Sequence, residues 1–482
     1  MPPRCDLVRG DCREVLREYP ANSFDACITD PPYGLSDHPP AELVLRAWLE
    51  DGDFEHGRPG FMGRKWDSFV PGPMTWREVY RVLKPGAYLL AFAGPRSYDF
   101  MSMAIRLAGF EIRDQVLNWM YGEGWPKGVD VSKAIDEAAG AVRDRLKQIP
   151  ITERARQWSG WNTSLKGSQE PIVVARKPLE GNVVENVLAW GTGALHIEAC
   201  RVQTRPRLTG ARKETTTGGG SIYGVQNTDR ALAYDAKAPT GRWPTNSVLT
   251  HHPDCVHIGT REVRSDGHYP GKRGKGGISS DGHKGQDELA ESYTSGETVD
   301  VFACVQGCVV RALDDQAGDR RSGGLTAGTV RRRTDSAACY DTMAGVSATN
   351  DYRAESGSAS RFFPTFYYSP KVAAIERDIG LEAGTNRHVS LKPIALCRWL
   401  IRLVVPPGGL MLDTHMGAGS MGCGAALEQV GYVGIELDAD NEGWIEIAEK
   451  RIAYTRLYPT AFDPEKRTGP PAAAVPGQRS LF

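Results

Sequence analysis

The string Ile28-Thr29-Asp30-Pro31-Pro32-Tyr33-Gly34 gathers hydrogen-bond acceptors around one aromatic ring. Two consecutive prolines stiffen a loop and remove two backbone donors, while their carbonyls stay free to accept. Asp30 adds a carboxylate acceptor and Tyr33 a flat stacking face. This set suits a planar ring bearing an exocyclic NH₂. Such a nitrogen is a poor nucleophile, because its lone pair is conjugated into the ring. Acceptors that hold both N–H groups favour a pyramidal nitrogen with a localised lone pair. The nitrogen could then attack a methyl sulfonium in line, with positioning and fixed dipoles supplying much of the catalysis. As a bare tetrapeptide, Asp30–Tyr33 reads equally well as a surface turn.

A second string, Asp413-Thr414-His415-Met416-Gly417-Ala418-Gly419-Ser420-Met421-Gly422, follows a strand pattern and opens a helix pattern. Glu436 ends the next strand pattern. Glycines let the backbone turn tightly and approach a ligand, and the carboxylate can accept ribose hydroxyls. This placement suits an adenosine-containing cofactor. The chain ends at Phe482, too soon after Glu436 for the further βα units that a dinucleotide fold needs. The missing strands must then come from the N-terminal segment. The sheet is expected to be circularly permuted, and NAD is disfavoured.

A metal staple is a third candidate. His251-His252-Pro253-Asp254-Cys255 pairs with Cys304-Val305-Gln306-Gly307-Cys308. Four N/S ligands suit tetrahedral structural zinc. The expected set is His252, Cys255, Cys304 and Cys308, although spacing does not separate His251 from His252, and His257 is a spare. The alternative is that the cysteines are buried and apolar around a helix start, with the histidines on the surface.

Elements to hold these groups are legible at both ends of the chain. Phe24–Thr29 is a buried-strand pattern, Trp76–Leu83 is helical in period, and Ala87–Ala93 is a second strand pattern. Ser97–Ala108 reads as a helix and Phe110–Met120 as a third strand. Near the other end, Lys392–Val405 reads as an amphipathic helix, Gly409–Asp413 as a strand, and Ser420–Gln429 as a helix. Tyr432–Glu436 and Asn441–Arg456 follow as strand and helix. From about Arg205 to Ser360, Gly, Ser, Thr and Asp dominate and helical periods are few. From Pro459 the tail is rich in Pro, Ala and Gly, which predicts disorder.

Composition sets outer limits. The 482 residues exceed one ordinary domain. With 40% hydrophobic and 24% charged residues, the chain is not collagen-like, fully disordered or membrane-embedded. Fifty-eight basic and 59 acidic residues leave a formal charge of −1, so any basic surface must be local. Ten cysteines are too sparse for a disulfide scaffold and read as reduced cytosolic thiols. The N-terminus has no apolar export signal, and the apolar stretch Leu400–Leu412 is interrupted by Arg402, Pro406 and Pro407. A cytoplasmic protein without a membrane span is expected.

Taken together, ITDPPYG and the far-downstream D-x-x-x-G-x-G string resemble the amino-group DNA methyltransferases of the β arrangement, in the phage and prophage branch. The resemblance extends to RGDCREVL at 9–16, GFMGRKWD at 60–67, RVLKPGAYLLAF at 81–92, LKGSQEPIVVARKPL at 165–179, GRWPTN at 241–246 and the stretch 391–413. It implies an α/β fold: a circularly permuted Rossmann-like S-adenosylmethionine-dependent methyltransferase sheet with a loop-rich target-recognition insertion. The expected divisions are 1–122 (catalytic half), 123–360 (target recognition, with a strand near 171–176 that joins the main sheet), 361–458 (cofactor half) and 459–482 (tail).

By motif, Asp30, Pro31, Pro32 and Tyr33 would hold the target amine and base. Asp11 and Cys12 would touch the cofactor adenine, Glu436 would hold the ribose, and Asp438 would belong to the cofactor-binding set. Asp413, Gly417, Gly419 and Ser420 would shape the rest of the cofactor pocket with Lys392, and Asp30 would border it. The family usually reads D-P-F-x-G-S-G-T at the glycine turn; Thr414 and His415 replace its proline and phenylalanine. His415 would pack its planar ring on the cofactor with some pH dependence. The usual H-P-T-x-K-P is His388-Val389-Ser390-Leu391-Lys392-Pro393.

The resemblance implies double-stranded DNA as partner, with the target base flipped out of the stack. D-P-P-Y goes more often with adenine N6, and a leading serine with cytosine N4. Other readings are a DNA-binding module without activity and a protein-amide methyltransferase, although the latter typically carries Asn before the two prolines. Lys272, Arg273, Lys275 and Arg331–Arg333 are candidate DNA contacts, or merely solvated loops. Gln478-Arg479-Ser480-Leu481-Phe482 is similar to the bacterial sliding-clamp-binding peptide.

Overall fold

The structure, a computed structural model, describes residues 3–202, 242–265, 298–321, 355–366 and 374–459, short interruptions within these ranges aside. The basic runs at 272–275 and 331–333 and the terminal peptide 478–482 lie outside the described residues, as does the tail beyond 459.

Among the described residues, fifteen strands appear in chain order: β1 (Cys5–Arg9), β2 (Phe24–Thr29), β3 (Leu83–Phe92), β4 (Glu111–Ile112), β5 (Leu117–Met120), β6 (Gln169–Arg176), β7 (Ser247–Thr250), β8 (Val256–Glu262), β9 (Arg264–Ser265), β10 (Thr298–Ala303), β11 (Arg320–Arg321), β12 (Glu355–Gly357), β13 (Thr365–Phe366), β14 (Leu410–Asp413) and β15 (Gly431–Glu436). Ten of them form one sheet in the order β1-β15-β14-β2-β3-β6-β5-β7-β13, with β4 also on β6. β1, β15, β14, β2 and β3 are mutually parallel, and β6 runs antiparallel to β3 and β5. The last two strands of the chain thus lie between the first two. This is the expected mixed α/β fold with a largely parallel central sheet.

The inner strands read as continuous apolar runs because both sheet faces are covered. FDACIT of β2 is buried at every position. Helix Ile394–Val404 covers one face with Leu396, Leu400, Ile401 and Val404. Helices Pro73–Val82 and Tyr98–Leu107 cover the other with Trp76, Val79, Met101 and Ile105. Each such side chain contributes about 1.5–3 kcal/mol by leaving water. A polar tie joins the chain ends: Asp25, paired with Lys84 at 2.6 Å, accepts the Leu410 amide at 2.7 Å.

Three expectations need correction. Phe110–Met120 is two short strands, β4 and β5, because the register against β6 slips between Ile112 and Leu117. The second strand starts earlier than the expected Ala87, since β3 already begins at Leu83. The middle region also holds more regular structure than its composition suggests, since β7 extends the main sheet beside β5 and β8 pairs with β10. No helix among the described residues is long and apolar enough to cross a membrane.

Candidate functional site

Parallel neighbours present their carboxyl ends along one edge, where open α/β sheets bind ligands. Across that edge stand, in sheet order, Asp11 after β1, Glu436 at the end of β15, the glycine turn after β14, and Asp30 after β2. β6 runs the opposite way, so its first residues, Gln169 and Glu170, reach the same edge.

The loop after β2 meets the glycine turn directly. Thr29 Oγ1 accepts the His415 amide at 3.1 Å and lies 3.1 Å from Thr414 Oγ1. Thr414 and His415 are therefore built into the contact between the two strings.

Asp30 sits in a charged cluster. Lys392 Nζ donates to Asp30 Oδ2 at 2.7 Å and lies 3.2 Å from Glu170 Oε2. The Tyr33 hydroxyl is shared between Asp30 Oδ1 at 2.7 Å and Glu170 Oε2 at 3.0 Å. Burial pushes the Asp30 carboxyl up from its usual range; Lys392 opposes the rise and Glu170 adds to it. Burial alone would lower Lys392, but the two carboxylates outweigh it and hold the ammonium above its ordinary value. Lys392 also lies 5.4 Å from the centre of the Tyr33 ring and 4.9 Å from that of Phe92. Its neighbours are thus Asp30, Tyr33 and Glu170, on the β2 side of the edge.

The Asp30–Gly34 loop is held from behind by the carboxylate of buried Asp67. It accepts the amides of Tyr33 at 2.9 Å, Gly34 at 3.1 Å and Leu35 at 3.3 Å. Ser97 Oγ donates to the Tyr33 carbonyl. One side chain thus takes up three amide donors of the loop, and its two prolines have no amide N–H to donate.

The glycine turn is shaped by close approach. Gly417 has φ +52°, and a Cβ there would lie 2.7 Å from His388 Nε2. Gly419 has φ +76°, and a Cβ there would lie 2.8 Å from the Ala448 Cβ on helix Trp444–Leu457. Glu436 Oε2 accepts the Gly417 amide at 2.7 Å, and its Oε1 accepts the Asp438 amide at 3.1 Å. Buried Arg451 donates to the Ala418 carbonyl and reaches Ser420 Oγ at 3.5 Å.

Asp413 is buried and pushed up to about 7, by burial first, against bonds from Thr29, the His415 amide and Tyr432. Burial lowers His415 to about 4, so the imidazole is neutral at neutral pH. This corrects the expected pH dependence of the ring in the physiological range. Asp11 caps helix Cys12–Arg17 by accepting the Arg13 amide at 2.8 Å, and the Arg13 guanidinium holds its carboxyl below the usual range. The Cys12 side chain faces the core, where burial raises the thiol to about 12. Asp438 is tied to Arg9 at 2.9 Å and caps the turn into the last helix through the Glu442 amide.

A second cluster lies beyond β7. His251, Cys255, Cys304 and Cys308 bring one ligand atom each to within 4.8 Å of one another. His251 Nδ1 is 3.4 Å from Cys304 Sγ and 3.7 Å from Cys308 Sγ. The histidine of the cluster is therefore His251. His252 Nδ1 instead accepts the Asp254 amide at 3.2 Å, and His257 faces Asp300 at 3.3 Å. Sequence reasoning did not single out Glu170, Asp67 or Arg451 either. Glu170 and Asp67 lay inside quoted motifs, but their spacing carried no chemical pattern of its own.

No protein-family model matches the chain. A curated Escherichia coli (strain K12) protein named "Putative methylase YubD" is 31% identical over 108 residues, which cover 22% of this chain and 39% of that protein. The match thus spans about two-fifths of the relative's length. Among solved structures, M1.HpyAVI with SAM aligns at 10% identity over 93% of this chain and 98% of its own, with a TM-score of 0.34. PvuII DNA methyltransferase (cytosine-N4-specific) aligns at 10% identity over 95% of each chain, with a TM-score of 0.34. A putative DNA modification methylase of Thermus thermophilus, with S-adenosyl-L-methionine, aligns at 14% identity over 94% of this chain and 96% of its own, with a TM-score of 0.32.

Proposed function

We propose that this chain is an S-adenosylmethionine-dependent DNA methyltransferase that modifies the exocyclic N6 amine of a flipped-out adenine. One observation carries the reading: the acceptor-rich Asp30–Tyr33 loop and the glycine turn of 413–419 adjoin at the carboxyl ends of neighbouring parallel strands. An amine acceptor and an adenosine cradle belong side by side only where a group passes between their ligands. The resemblance of both strings to the β-arrangement enzymes supports it, as does the partial match to YubD.

The glycine turn fits the cofactor. Gly417 and Gly419 hold the turn in positive φ, packed tightly against His388 and Ala448, and the Glu436 carboxylate beside it is suited to ribose hydroxyls. When bound, S-adenosylmethionine supplies an electrophilic methyl group. Asp30 and the Pro31 carbonyl accept the amine N–H groups and localise the nitrogen lone pair. Transfer would form the N–C bond and break the sulfonium–methyl bond, with the thioether S-adenosylhomocysteine as leaving group, and Asp30 or solvent would take the amine proton. Tyr33 and Lys392 keep the Asp30 carboxylate aimed and charged, and Lys392 offsets the neighbouring Glu170.

The leading aspartate favours adenine over cytosine in this family resemblance. Double-stranded DNA is the proposed substrate, with recognition assigned to 123–360 and sliding-clamp binding to 478–482. The test is transfer of labelled methyl to duplex DNA, followed by nucleoside analysis. N6-methyladenine is expected. N4-methylcytosine would replace the base assignment, and DNA bound without label would favour a binding module.

A further inference from the structure

We propose that His251 Nδ1 and the Sγ atoms of Cys255, Cys304 and Cys308 hold one structural zinc ion, which fastens the β8–β10 ribbon and helix Val309–Ala317 to the edge of the main sheet.

The four ligand atoms lie within 4.8 Å of one another, a spacing that suits a closed tetrahedral site. With Zn–S near 2.3 Å and Zn–N near 2.0–2.1 Å, tetrahedral N···S edges are about 3.6 Å. The two N···S separations here, 3.4 and 3.7 Å, bracket that value. Three thiols and one imidazole form a soft donor set, which selects zinc over magnesium or calcium. Four protein ligands leave no open position, so the role is structural rather than catalytic.

The ligands come from places that need joining. His251 directly follows β7, which pairs with β5 and β13 in the main sheet, and its amide donates to the Phe366 carbonyl at 3.0 Å. Cys255 precedes β8 and Cys304 follows β10, where the ribbon closes at the pair Val256–Ala303. Cys308 is the N-cap residue of helix Val309–Ala317. The Phe302 ring stacks on His251 at 3.8 Å and fixes the imidazole plane.

Little apolar packing replaces the ion: the fully buried part of the local core is Leu249, Cys255, Cys308 and Val310. Where the core is this small, metal binding energy becomes folding energy.

The test is elemental analysis of the full-length chain, with cobalt substitution as a second reading. About one zinc per chain is expected for a single closed site. Cobalt should give a thiolate charge-transfer band and tetrahedral d–d bands. His251→Ala and Cys308→Ser should lose bound zinc, whereas His252→Ala should retain it. A wild-type chain that binds zinc only substoichiometrically would overturn the proposal. So would a cobalt form without thiolate bands, a reading that stands even if the cysteine variants fail to fold. Loss of zinc from His252→Ala with retention by His251→Ala would overturn the ligand assignment.

Discussion

The Lys392 ammonium donates to Asp30 Oδ2 at 2.7 Å, joining residues 362 positions apart in the chain. The same ammonium lies 3.2 Å from Glu170, so one cation is shared between two adjacent carboxylates. Breaking a fully buried pair by removing one partner costs about 3–5 kcal/mol, and less where water still reaches the carboxylates, as it does here. Lys392→Met should therefore lower the melting temperature. It should also raise the Asp30 pKa, because the ammonium favours the ionised form. Activity that needs ionised Asp30 would then fall away at a higher pH on the acid limb. A pH profile of kcat/KM checks this, and an unmoved acid limb would detach Lys392 from Asp30.

Glu170→Gln predicts the opposite displacement. Glu170 raises the Asp30 carboxyl through like-charge repulsion, and glutamine keeps an acceptor for the Tyr33 hydroxyl without the charge. The acid limb should shift to lower pH. Opposite shifts in the two variants are expected of an electrostatic cluster, and parallel shifts would point to a general structural effect.

Gly419→Ala tests the glycine turn. The new methyl group would meet Ala448 at a backbone angle that L side chains rarely adopt. Overpacking of this kind costs about 1–3 kcal/mol. Calorimetry should show weaker S-adenosylmethionine binding, and a thermal melt should show the lost stability. Undiminished affinity would remove the turn from the cofactor pocket.

His415→Phe tests a titration. The ring falls from an ordinary value of 6.5 to about 4 in the fold. Its folded pKa is depressed, so its stability contribution is full above about 6.5. That contribution is lost as pH falls toward 4, because the unfolded chain takes up the proton first. The phenylalanine variant should lose less stability than the parent between those values. Denaturant melts across the window measure this, and identical slopes would contradict it.

The strands and helices around the site were legible because apolar runs such as FDACIT have only one way to be buried on both faces. The adjacency of Asp30 and the glycine turn rests on β14 pairing with β2, a contact between distant parts of the chain. Glu170 was not legible, because its role depends on β6 running antiparallel and delivering its first residues to the carboxyl edge. His251 and His252 could not be separated either. Which of them faces the cysteines depends on how the chain leaves β7, and adjacent residues carry no spacing signal for it. Asp67 acts through amides of a distant loop, a contact without sequence periodicity.

Single-turnover methyl transfer by Asp30→Ala, read beside calorimetric S-adenosylmethionine binding, is the most direct test of the shared pocket. The variant should bind the cofactor as the parent does and transfer methyl to duplex DNA at least about a hundredfold more slowly. Transfer at the parent rate would contradict the account, because the amine would then be held somewhere other than the loop after β2.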